Sequence, residues 1–94
     1  MVVIRWNEQK ETWLIRERGV SFQEIADIIL QGNYLDILEH PGRPNQHIFI
    51  VRLHDYVWVV PFWIEDDETI LLKTAFPSRS RKFNKRYGGI DEKK

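Results

Sequence analysis

Apolar and polar positions along this chain follow two rhythms, and the change between them falls near residue 45. The first half repeats at helical spacing. Asn7 stands as an N-cap before Glu8 and Glu11, with Trp6, Trp13 and Leu14 near one stripe and Arg16 and Arg18 ahead of Gly19. Acid at the start and base at the end complement the helix dipole, so a helix is predicted over 8–18. Ser21 then opens a capping box with Glu24, and Phe22, Ile25, Ala26 and Ile29 fall at i, i+3, i+4 and i+7 before Gly32. This predicts a second helix over about 22–31.

Tyr34 to Glu39 reads as a short strand, broken by His40-Pro41-Gly42-Arg43-Pro44. From Asn45 or Gln46 the pattern is that of strands. Ile48 to Leu53 and Tyr56 to Trp63 flank His54-Asp55 as a tight hairpin, and a last strand is predicted from Thr69 to Phe76, after the acidic turn Glu65 to Glu68. The strands are apolar on both parities, Phe49, Val51 and Leu53 against Ile48 and Ile50, so the sheet should be covered on both faces. Pro61 lacks a ladder donor and is expected at a bulge or an edge. Ser78 is placed as the cap of a short basic helix running to about Tyr87, with a fraying tail over 88–94. The expected fold class is α+β, one domain over 1–87, with two N-terminal helices packed on a mainly antiparallel sheet of about four strands.

Composition narrows the class of protein. Hydrophobic residues are 43% and charged residues 30%, ordinary values for a folded domain. There is no cysteine, so disulfide and thiolate chemistry are excluded, and no apolar run is long enough to span a membrane. A cytoplasmic location is expected. The net charge of zero conceals a split: residues 1–72 carry 6 basic and 12 acidic side chains, whereas residues 73–94 carry 8 and 2. The basic excess lies in Lys73, Arg79, Arg81, Lys82, Lys85 and Arg86, interleaved with Phe76, Phe83 and Tyr87. That mixture suits a phosphate backbone with unstacked bases, and equally suits a solvated helix pairing with the chain's own acidic surface.

Candidate chemistry follows from those residues. His40, His47 and His54 lack the i, i+4 spacing of a helical zinc pair, and consecutive carboxylates in the acidic turn point in different directions. No glycine-rich nucleotide motif is present, so neither metal nor cofactor is expected. His47 remains a candidate proton carrier. Trp58 and Trp63 differ in parity, which leaves one of them able to face outward. Lys73, mid-strand beside the basic exit, could present its charge from the sheet surface and form a phosphate site with Arg79 and Arg81, or could be an exposed strand lysine guarding an edge.

The opening Ile4-Arg5-Trp6-Asn7-Glu8-Gln9-Lys10 and the later Arg18-Gly19-Val20-Ser21-Phe22-Gln23-Glu24 resemble the W-D-E-x-K and H-G-V-S-F-E-E stretches of BrnT-type toxins. Ile70 to Tyr87 is similar in layout to that family's last strand and basic exit, with Thr74-Ala75 where Ser-Ala of R-I-I-S-A-R is typical. Phe76-Pro77 replaces the basic residues that follow, which displaces the cation to Arg79 and Arg81. The family's histidine before Gly-Val-Ser-Phe is here Glu17-Arg18.

The resemblance implies a RelE-like α+β fold, a metal-independent endoribonuclease that arrests translation, and a DNA-binding antitoxin encoded beside it. Lys73, Arg79 and Arg81 would then neutralise phosphate, Tyr87 or His47 would move protons, and Lys82, Lys85 and Arg86 would bind RNA. An acidic antitoxin segment would cover the basic exit. A non-catalytic module that binds RNA or an acidic protein through the same segment is the alternative. Ribosome dependence, and self-association against a toxin–antitoxin assembly, stay open.

Overall fold

The computed structural model describes residues 2–39, 42–43 and 45–78. The elements run β1 (Val3–Arg5), α1 (Glu8–Arg18), α2 (Phe22–Leu30), β2 (Asp36–Glu39), β3 (Gln46–Leu53), β4 (Tyr56–Asp66), β5 (Thr69–Leu72) and β6 (Phe76–Pro77). Strand order is β1-β5-β4-β3-β2, with β6 also paired to β4. All pairings are antiparallel except β1 with β5.

Both helices start where their caps place them. Asn7 accepts a hydrogen bond from the Lys10 N–H at 3.0 Å, and Ser21 accepts one from the Glu24 N–H at 3.0 Å. Only Ser21's half of the expected capping box is seen; the next donor, the Phe22 N–H, goes to Glu11 of α1 at 2.6 Å. Glu24 faces His54, whose Nε2 lies 3.4 Å from its Oε1. Gly19 ends α1 with φ 72, a left-handed geometry that glycine adopts without a Cβ penalty. His54 and Asp55, at φ 56 and 62, form the two-residue hairpin turn between β3 and β4.

Leu14, Val20, Phe22, Ile25 and Ile29 pack on Phe49, Val51, Val60, Phe62 and Leu72, forming the main core. Burying each large side chain there contributes roughly 1.5–3 kcal/mol. On the opposite sheet face Ile50 and Val57 are fully buried, with Leu38 and Ile48 beside them. The apolar strands of both parities are thus buried on both faces.

Two expectations need correction. The described sheet has six strands rather than about four: β1 is a three-residue strand paired in parallel, too short to leave a pattern in the sequence. The last expected strand, Thr69 to Phe76, is two strands, because Lys73, Thr74 and Ala75 leave the ladder between β5 and β6. Pro61 is not at an edge but in the central strand β4, opposite Ile48 of β3, and of the two expected settings it takes the bulge: on its other side residues 60 and 61 face the three residues 73–75, a register shift of one. Its carbonyl accepts the Lys73 N–H at 3.0 Å, so its donorless nitrogen faces the break between β5 and β6, where the ladder is interrupted. The expected basic helix from Ser78 to Tyr87 and the tail over 88–94 lie outside the described residues beyond Ser78.

Candidate nucleic-acid interface

Lys73 occupies the exit of β5, beside the start of α1, because β1 runs parallel to β5 and delivers the chain to Asn7 at the same end of the sheet. There Asn7, Gln9, Lys10, Trp13 and Lys73 line an open cavity of about 500 Å³. Lys10 and Trp13 are three apart on α1, and the Lys10 ammonium lies 4.2 Å from the Trp13 ring centroid. The Arg18 guanidinium lies 4.8 Å from the same centroid. Lys73 Nζ is 5.5 Å from the Trp63 ring centroid. Trp63 is 40% exposed whereas Trp58 is buried, as their opposite parity required.

Arg18 ties this surface to the strand break, since its Nη1 donates to the Ala75 carbonyl. Beside it Glu17, Arg18, Trp58, Phe76 and Pro77 line a second cavity of about 560 Å³. Glu17 supplies a carboxylate there and is also paired with Arg16 at 3.1 Å. Three cations and two tryptophans therefore collect at one end of the sheet, where the chain leaves β6 towards Ser78. Cations bound over exposed indole rings can serve both phosphate and base: the charge meets backbone oxygens while the ring offers a stacking plane.

The candidates taken from the sequence divide. Lys73 lies in this surface. Arg79, Arg81, Lys82, Lys85, Arg86 and Tyr87 are outside the described residues. His47 is in β3, its ring tilted against Phe62 at 5.6 Å between centroids, and lines a separate apolar cavity that does not include Lys73. Lys10, Trp13 and Arg18 were not singled out in the sequence. The i, i+3 pairing of Lys10 with Trp13 was visible there, but their convergence with Lys73 depends on the parallel β1–β5 pairing.

The acidic turn is structural. Asp66 accepts the Glu68 N–H at 2.9 Å, and that bond, with the Thr69 hydroxyl adding to it, holds the carboxyl below its ordinary range. Among the described residues no group of His, Asp or Glu is arranged to hold a metal ion, and no helix is long and apolar enough to cross a membrane.

A pair of N-terminal helices on one face of a mixed sheet, with a basic, tryptophan-bearing end, defines a small α+β class. The crystal structure of the Brucella abortus ribonuclease toxin BrnT has this fold: it superposes with a TM-score of 0.62 and 18% identity, covering 85% of this chain and 100% of that one. The chain's fold is thus BrnT-like, at a sequence distance that marks it as divergent. No family model and no curated protein matches the sequence.

Proposed function

We propose that this protein is a toxin of the BrnT kind, a metal-independent endoribonuclease of the cytoplasm held in check by a cognate antitoxin. The observation that carries this reading is the convergence of Lys73, Lys10 and Arg18 around Trp13 at one end of a BrnT-like fold. In metal-free cleavage the 2′-hydroxyl attacks the adjacent phosphorus and the 5′-oxygen leaves. The nonbridging oxygens gain charge, which fixed cations stabilise. Lys73 and Arg18 supply such charge, and Arg79 and Arg81 follow directly after Ser78 in the chain. Proton transfer falls to Tyr87, or to the Glu17 carboxylate in the neighbouring cavity. His47 is not part of this proposal, because it lines a different cavity.

Induced expression in growing bacteria, with RNA 5′ ends mapped genome-wide, tests the proposal. The wild type should arrest growth and create new ends, and the Lys73→Ala, Arg79→Ala double variant should do neither while remaining folded. Unchanged toxicity in that variant would overturn the site assignment.

A non-catalytic RNA-binding module is the second reading. It is favoured by one observation: among the described residues no histidine lines the cavities around Lys73 and Arg18. That reading requires RNA whose mobility shifts on binding without any new end.

A further inference from the structure

The helix face of the sheet carries a second feature, at the end away from Lys73. A cavity of about 630 Å³ lies between the end of α2 and the β4–β5 turn, floored by Tyr34, Phe49, Phe62, Ile64 and Ile70. Its lining runs from Val2, next to β1, to Ile37 of β2, and so spans the whole strand order. Four inter-strand spacings of about 4.8 Å make a trough roughly 19 Å long. Ile37 and Ile64 are 40% and 38% exposed, although both point into it. One rim is the run Asp66, Asp67 and Glu68, and no Lys or Arg lines the trough. Neither Asp67 nor Glu68 has an ion-pair partner among the described residues. At its floor His47 Nδ1 is buried without a hydrogen bond. A buried polar atom of this kind is unusual in a finished structure.

We propose that this trough is a docking site for an amphipathic helix of a partner polypeptide, one that carries Lys or Arg beside its apolar anchors. The length matches about 13 helical residues at about 1.5 Å each. The apolar floor takes side chains at i, i+3, i+4 and i+7, the mode in which helices occupy hydrophobic grooves. The uncompensated rim selects cationic flanks. The same rim repels phosphate, which disfavours RNA as the occupant. The inference is independent of the ribonuclease reading. Because the trough and the basic surface share no lining residue, the partner and RNA bind at the same time.

The test uses the full chain, isotope-labelled, with a synthetic 14-residue amphipathic helix of Leu, Phe, Gln and Lys, and a matched peptide with Glu for Lys. The Lys peptide should perturb the amides of Tyr34, His47, Phe62, Ile64 and Ile70, and should bind at least tenfold tighter than the Glu peptide. The Asp67→Lys, Glu68→Lys variant, changed only at exposed side chains, should lose that preference, and Ile64→Lys should weaken binding of either peptide. Equal affinity for the two peptides, perturbation confined to other residues, or no binding at 1 mM peptide would overturn the proposal. So would perturbation of the same amides by a single-stranded RNA oligonucleotide, or by concentration-dependent self-association of the chain alone.

Discussion

Lys73 and Lys10 reach the same cavity from opposite ends of the sequence, and each would neutralise about one phosphate of a bound strand. On single strands the dependence of log affinity on log salt carries a slope of about −0.7 per neutralised phosphate. The Lys10→Ala, Lys73→Ala variant should therefore flatten that slope by about 1.4, measured by fluorescence anisotropy with a labelled oligonucleotide between 50 and 200 mM salt. An unchanged slope would remove both lysines from the interface. Asp66 allows a different measurement. Its carboxyl is held below the ordinary aspartate value of 3.8 by the Glu68 N–H first and by Thr69 second. The ionised form is thus favoured by folding, so its contribution is complete above the ordinary carboxylate range and is lost as pH falls through the lower folded value. The Glu68 amide resonance should titrate with a midpoint below 3.8, and Asp66→Asn should abolish that transition.

At the scale of elements, α1 buries only Leu14 completely, whereas α2 buries Phe22, Ile25, Ala26 and Ile29. Phe22→Ala should cost roughly 3–5 kcal/mol in urea unfolding, because the side chain is fully enclosed and also faces Trp6. Arg18→Ala should cost about 1–3 kcal/mol by stranding the Ala75 carbonyl, and should loosen the break between β5 and β6 in amide exchange. Both helices were legible in the sequence because Asn7, Gly19 and Ser21 carry local capping chemistry that needs no tertiary context. The β3–β4 hairpin was legible through His54-Asp55, bounded by apolar runs. β1 was not, since three residues beside a strand more than sixty positions away leave no periodic trace. The run from Thr69 to Phe76 looked continuous because Thr74 and Ala75 are compatible with a strand, and the break, one residue too many opposite Pro61, shows only against the partner strand. The lower boundary of β4 was also missed, as Glu65 and Asp66 read as turn residues yet still belong to the strand, where Asp66 pairs with Thr69. Within the site, Lys73 was legible as a strand lysine beside the basic segment, though not as the residue that follows the end of β5. Its partners Lys10, Trp13 and Arg18 required the topology.

Taken whole, the molecule is polarised. The acidic turn and the apolar trough occupy one end of the sheet, and the cations with Trp13 the other. Asp66 lies five residue steps along β4 from Pro61, against which Lys73 is bonded, a span of about 16 Å at about 3.3 Å per residue. That is about two Debye lengths at physiological ionic strength. Neutralising the rim with Asp67→Asn and Glu68→Gln should change RNA affinity less than twofold at 0.15 M salt, and noticeably more at 0.01 M, where screening reaches about 30 Å. A large effect at 0.15 M would mean that RNA extends to the acidic end.

The proline in the middle strand has a consequence for how this molecule can change over time. Between the pairs Phe62–Leu72 and Val59–Phe76 the segment joining β5 to β6 carries one residue more than β4, so even an N–H at position 61 would not let the two strands run on in one register, and Lys73 is already bonded to the Pro61 carbonyl. The opening beside α1 is in this sense kept by a count of residues as well as by a ring, and replacing the proline alone leaves the extra residue, and the gap it makes, in place.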